Sequence, residues 1–187
     1  MRILAISGSL RASSSNTALL QAAARIAPPT MPFVICRGLG ELPHFDPDLD
    51  REQDTAAPPV AALRAQITAA DGLIISSPEY AHGVPGALKN ALDWLVSYPD
   101  FAGKLVLLWN ASASGGEYAQ ASLIETLRTM SARVLIDDSL IKPFLARKLA
   151  PGEELTGDAA LAVRSSLGAL AAAAERASSA NARAPRA

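Results

Sequence analysis

The chain has 187 residues, half of them hydrophobic and 19% charged, and its 17 basic and 18 acidic side chains leave a formal charge of −1. That length sets one domain, the apolar share excludes a wholly disordered chain, and near-zero charge argues against charge-driven binding of nucleic acid or acidic membranes. The single cysteine, Cys36, excludes an internal disulfide; with no signal-like start and no apolar run of bilayer length, the chain reads as cytoplasmic, with no membrane partner.

Ile3 to Ser7 is a short apolar run stopped by Gly8, the pattern of a buried strand. Gly8 to Asn16 is a serine-rich turn, and Thr17 to Ile26 repeats apolar residues at helical spacing. Phe33 to Cys36 predicts a second strand, followed by a long polar loop from Gly38 to Ala57 with Asp46, Asp48 and Asp50. Val60 to Ala70 predicts a helix and Gly72 to Ser77 a third strand. Pro85 to Ser97 predicts a helix whose proline suits the first turn. Lys104 to Asn110 is a fourth strand, Glu117 to Ser131 a helix and Val134 to Ile136 a short fifth strand. Thr156 to about Arg176 is an alanine-rich helix with Val163, Leu167 and Leu170 on one face. Residues 1–177 are expected to form the domain, and Ser178 to Ala187, small, polar and without apolar period, a flexible tail.

Strands alternating with helices imply right-handed crossovers and a five-stranded parallel sheet covered on both faces. Ligands then bind beyond the carboxyl ends of the strands.

Several chemistries have no sequence support. Gly103-Lys104 is followed by Leu105, so there is no Walker loop, and Gly38-Leu39-Gly40 lacks the third glycine of a dinucleotide fingerprint. No Gly-x-Ser-x-Gly elbow occurs. His44 and His82 have no partner at metal-ligand spacing, so no metal is expected. Cys36, inside an apolar strand, reads as an inert thiol.

Three loops fall at the same edge of the sheet. In Gly8 to Asn16, the hydroxyls of Ser9, Ser14 and Ser15, the Asn16 amide and a helix N-terminus supply donors. Arg11 adds a charged fork suited to a phosphate monoester. An ordinary turn with an N-cap uses the same residue types, except for the cation. Ser77 to Gly86 sets two prolines and two glycines around Tyr80, either a rigid backbone surface for a planar ring or a plain strand-to-helix connection. Asn110 to Gly116 is small-residued and open to both readings.

Gly8-Ser9-Leu10-Arg11 with Ser14-x-Asn16, then Ser77-Pro78-Glu79-Tyr80 and Val84-Pro85-Gly86-Ala87-Leu88-Lys89-Asn90-Ala91-Leu92-Asp93-Trp94, resemble the NAD(P)H-dependent FMN reductases. That group includes quinone, chromate and azo-dye reductases, and the likeness runs from about Ile3 to Ile136. It implies a flavodoxin-like three-layer α/β sandwich, FMN as cofactor and NADPH or NADH as electron donor. It implies phosphate contacts at Ser9, Arg11, Ser14, Ser15 and Asn16, isoalloxazine contacts at Pro78, Glu79, Tyr80 and Ala81, and a pyrimidine-end contact at Ser112. Ala81 replaces the asparagine usual after Pro-Glu-Tyr, and the third loop is shorter than usual.

Hydride transfer belongs to the cofactor, so no catalytic acid, base or nucleophile is expected from the chain. The implied function is an NAD(P)H-dependent oxidoreductase passing electrons to quinones, flavins or similar small acceptors. The alternative is a flavodoxin-like electron carrier docking protein partners; such carriers are usually strongly acidic, unlike this chain. The Pro85–Ser97 helix commonly lies at a dimer interface in that family, and Trp94 beside it points to a homodimer or homotetramer.

Overall fold

The computed structural model describes residues 1–50, 57–113 and 115–183. Five parallel strands, β1 (Ile3–Ser7), β2 (Phe33–Ile35), β3 (Gly72–Ser76), β4 (Leu105–Trp109) and β5 (Arg133–Val134), form one sheet in the order β2-β1-β3-β4-β5. Five helices cover it: α1 (Ser15–Ile26), α2 (Pro58–Thr68), α3 (Gly86–Asp93), α4 (Glu117–Thr129) and α5 (Gly157–Arg183). This is the flavodoxin-like arrangement, with its topological switch point between β1 and β3.

Alternation along the strands sorts the core into two layers. Ile3, Ala5, Ile74, Leu105, Leu107 and Trp109 pack with the apolar faces of α1 and α5. Leu4, Ile6, Leu73, Ile75, Val106 and Leu108 pack with those of α2, α3 and α4. The register pairs Ser7 with Ser76 and Ser76 with Trp109, so the three central strands end level. The loops that follow them therefore start side by side.

Element bounds shift by a residue or two in several places, α2 running Pro58–Thr68 rather than Val60 to Ala70, and three differences are instructive. α3 ends at Asp93 rather than Ser97 because tertiary bonds claim the next residues. The Trp94 carbonyl accepts from Arg64 Nη2 at 2.8 Å, and Ser97 Oγ donates to Asp50 at 2.5 Å. β5 shortens to Arg133–Val134, one residue upstream of the expected start. α5 continues through Arg183, past the expected helix end at about Arg176. No glycine or proline interrupts the chain between Gly168 and Pro185, and alanine propagates helix well. Residues 184–187 of the expected tail lie outside the described residues.

In the polar segment after β2, residues 43–45 are tied to Asn90 and Trp94, while residues 51–56 lie outside the described residues. The Asn90 amide and the Trp94 indole N–H both donate to Pro43 O at 2.9 Å, and Asn90 Oδ1 accepts from Phe45 N at 2.8 Å. Two residues of the sequence block that carries the resemblance thus hold a loop in place. Arg64 and Asp50 form a largely buried ion pair at 2.6 Å. Burial opposes ionisation of Asp50, but the Ser97 hydroxyl and the Arg64 guanidinium outweigh it and hold the carboxyl below its usual range. Cys36 is half-buried, and burial pushes its thiol up to about 11, which leaves it protonated and unreactive. Among the described residues no helix is long and apolar enough to cross a membrane.

Candidate functional site

The loop after β1 leaves the sheet with Gly8 N–H donating to Ser76 O at 2.8 Å. A Cβ on Gly8 would stand 2.6 Å from Ser77 Oγ, so only glycine lets the first and second loops approach this closely. Ser14 is the N-cap of α1, its Oγ accepting from Thr17 N–H at 3.3 Å. The capping reading of this serine is therefore real. It coexists with an anion-friendly feature, since the first turn of α1 carries no acidic residue. Above that turn Arg11 is exposed, its Nε donating to Ser13 Oγ at 2.9 Å and its backbone N–H to Ser9 Oγ at 3.3 Å.

Asn16 has a task that sequence spacing does not reveal. It is buried, and its Oδ1 accepts from Ser76 Oγ at 2.8 Å and from Ala111 N–H at 3.1 Å. One side chain thereby joins the roots of all three loops. Only its Nδ2 remains as the donor expected towards a ligand.

The second loop turns on a tight hairpin. Tyr80 and Gly83 exchange backbone bonds of 3.1 and 2.9 Å around Ala81 and His82, whose φ angles are +50° and +59°. Both central residues are left-handed, as in a type I′ turn, which glycine and asparagine adopt more readily than alanine. Left-handed non-glycine residues cost about 1–3 kcal/mol each and persist where the surroundings enforce them. Here the hairpin is held from both sides. Tyr80 OH lies 3.3 Å from Ser9 Oγ, and His82 stacks on Tyr118 at 4.2 Å with 20° between planes. Tyr80 remains 54% exposed, and Ala81 is exposed beside it.

The third loop is built around Asn110, which is 1% exposed. Its Oδ1 accepts from Ser112 N–H at 2.9 Å, while its Nδ2 is buried with no partner. A Cβ on Gly116 would meet that Nδ2 at 2.7 Å, so this glycine too marks a close approach. Gln120, also buried, donates to Ser77 O at 3.4 Å and leaves its Oε1 unpartnered. Glu79 bridges the second loop to the first turn of α4, its Oε2 accepting from Ala119 N–H at 2.9 Å. Ser114 lies outside the described residues.

The structure thus brings Ser9, Arg11, Ser14, Ser15 and Asn16 together on one turn. Tyr80 reaches them through Ser9, and Glu79 lies at the opposite end against α4. Pro78 and Ser112 are half-buried. Sequence reasoning missed Ser76 and Gln120, whose side-chain bonds span tens of residues, and read Asn110 only as the first residue of the third loop. Two hollows lie elsewhere: about 1290 Å³ at the amino ends of the strands beside Asp71, Lys104 and Arg133, and about 470 Å³ between α3 and α4. Among the described residues no group of His, Cys, Asp or Glu could hold a metal.

The donor set fits a flavin mononucleotide. An acid-free helix N-terminus under three serines and an arginine suits a phosphate monoester. One unpartnered buried donor and one acceptor by the third loop suit a ring whose edge carries both.

A family model described as NADPH-dependent FMN reductase matches residues 1–146. The quinone reductase of Escherichia coli is 35% identical over 155 residues, which is 81% of this chain and 82% of that protein. An NAD(P)H-dependent FMN reductase of Pseudomonas aeruginosa is 39% identical over 132 residues, 68% of this chain and 69% of that protein. The solved flavoenzyme NAD(P)H:(acceptor) oxidoreductase from Paracoccus denitrificans superposes with a TM-score of 0.75 at 24% identity, covering 93% and 95% of the two chains, and carries the fold.

Proposed function

The chain belongs to the NADPH-dependent FMN reductase family, and from that premise we propose which residues hold the cofactor and which acceptor it serves. It is an NAD(P)H-dependent oxidoreductase that uses FMN. Ser9, Arg11, Ser14, Ser15 and Asn16 hold the phosphate, Pro78, Glu79, Tyr80 and Ala81 flank the ring, and Ser112 lies at its pyrimidine end. The functional unit is the domain of residues 1–177. The observation that carries this reading is the convergence of three loops on level strand ends, with Arg11 on the loop three residues before the Ser14 cap of an α1 first turn free of acidic residues.

FMN, when bound, supplies the two-electron chemistry, accepting hydride from a nicotinamide and passing electrons on. The chain's work is orientation and charge. The Tyr80–Gly83 hairpin, anchored at Ser9 and Tyr118, fixes a wall beside the reacting face. Tyr80, more than half exposed, offers that wall an aromatic surface for nicotinamide and acceptor. Backbone N–H groups of the third loop other than those of Ala111 and Ser112, which are bonded to Asn16 and Asn110, would stabilise charge that develops at the pyrimidine end.

Quinones are the acceptor class we assign, because they are flat enough to take the place a nicotinamide leaves, and the Escherichia coli relative bears that name. In stopped flow, NADPH or NADH should bleach FMN on this protein faster than free FMN, and a simple benzoquinone should restore the absorbance. If neither nicotinamide does so, the reading falls. If bleaching occurs but the quinone returns no colour, only the acceptor assignment falls.

A homodimer or homotetramer remains our reading of assembly, on changed grounds. Trp94 is 1% exposed and bonded to Pro43, so it is closed to a partner. The support lies instead in Val96, 63% exposed beside the groove between α3 and α4 that Tyr98 and Met130 also line. Light scattering should give at least twice the 19.4 kDa chain mass; a monomer at micromolar concentration would remove it. The lone cysteine supports a cytoplasmic location.

A further inference from the structure

Helix α4 starts without a cap of its own. Its N-cap is Gly116, which has no side chain to accept from the first exposed N–H groups. The missing acceptor comes from another loop, where Glu79 Oε2 takes the Ala119 N–H at 2.9 Å. A second observation falls at the same spot. The buried Asn110 Nδ2, without a partner, would stand 2.7 Å from a Cβ on Gly116, and Glu79 Cβ would stand 3.5 Å from it. A carboxylate, an unsatisfied amide and a helix N-terminus therefore meet around one glycine.

We propose that Glu79 is a positioning residue that also sets the redox poise of the site, by holding the first turn of α4 through Ala119 and, together with Glu117, offsetting the positive end of that helix. This rests on the FMN reading above. A helix N-terminus carries roughly half a positive charge, and an acidic side chain there offsets it. Two-electron reduction of FMN places negative charge at its pyrimidine end. Glu117 in the first turn of α4 offsets part of its positive end; without Glu79 the remainder would draw the charge in and make the cofactor a poorer donor to acceptors. With Glu79 in place, the attraction is weaker and the electrons are released more readily. A carboxylate serving only as a cap could be an amide, because one acceptor oxygen suffices for Ala119 N–H.

Glu79→Gln keeps that oxygen and removes the charge; Glu79→Ala removes both. Each full-length variant, loaded with FMN, is equilibrated against a redox dye of known potential. For Glu79→Gln the equilibrium should shift about three- to tenfold towards reduced FMN, tenfold being about 30 mV for a two-electron couple. Glu79→Ala should shift it in the same direction, weaken FMN binding about tenfold and speed exchange of the Ala119 amide in the FMN-free chain. Slow Ala119 exchange in Glu79→Gln would show that the cap survives there.

If Glu79→Gln binds FMN and is reduced by a nicotinamide, yet its equilibrium coincides with wild type or moves the other way, the charge role is overturned while the FMN reading stands. Unchanged Ala119 exchange in Glu79→Ala overturns the positioning role. A wild-type chain that takes up no FMN overturns the reading and this inference together.

Discussion

Arg11→Ala is expected to weaken FMN binding about 10- to 100-fold and to leave riboflavin binding within about twofold. A hydrogen bond to a charged group contributes roughly 1.5–3 kcal/mol, and each 1.4 kcal/mol is tenfold in affinity. Riboflavin lacks the phosphate, so it cannot sense a cation placed to meet one. Arg11 is exposed, which puts the effect at the lower end of that range in physiological salt and makes it larger at low ionic strength. Its tie to Ser13 holds the guanidinium on the loop in advance of any ligand, so less conformational freedom is lost on binding. Arg11→Lys should fall between wild type and alanine, because an ammonium keeps the charge but not the planar fork. Paired titrations of FMN and riboflavin, followed by flavin fluorescence, separate the cases. Equal losses for both ligands would move Arg11 away from the phosphate.

The fold was readable because its signals are local. The unbroken apolar runs of Ile3 to Ile6 and Leu105 to Leu108, buried on both faces, are a property of neighbouring residues, and so is the 3.6-residue period of α4 and α5. Where the sequence misled, a distant bond had decided the matter. The end of α3 depends on Arg64, about thirty residues earlier in the chain, reaching the Trp94 carbonyl. Trp94 looks like an interface residue until Pro43 is seen to accept its N–H. The same division holds in the site. The serines and arginine of the first loop announce themselves because capping and anion binding draw on adjacent residues. Glu79 was legible as part of the Pro-Glu-Tyr block, but not as the cap of a helix forty residues on. One local hint existed: α4 opens on Gly115-Gly116, where no side chain can cap, which signals an acceptor from elsewhere.

Asn16→Ala should be the most destabilising change in the site. Asn16 Oδ1 is the shared acceptor for Ser76 Oγ and Ala111 N–H, both inside the structure. Removing it leaves two buried donors without partners, at about 1–3 kcal/mol each. A loss of about 2–5 kcal/mol is a large part of a typical domain stability of roughly 5–15 kcal/mol. For a chain of this size that is about 4–20 °C in Tm, at roughly 2–4 °C per kcal/mol. Water entering the gap would soften the loss, so Asn16→Leu, which fills it with apolar volume, should be at least as damaging. Ser76→Ala tests the geometry, since it removes one of the donors that Asn16→Ala strands. The double variant should then be less destabilised than the sum of the singles by about 1 kcal/mol. Exact additivity would mean that the two side chains do not share the bond. A Tm for Asn16→Ala within about 2 °C of wild type would show that the three loop roots are held together by something else. FMN affinity should fall along with stability, because Ser76 and Ala111 stand at the starts of the second and third loops while Asn16 belongs to the first. A single amide carbonyl keeps the separately encoded halves of the site in register.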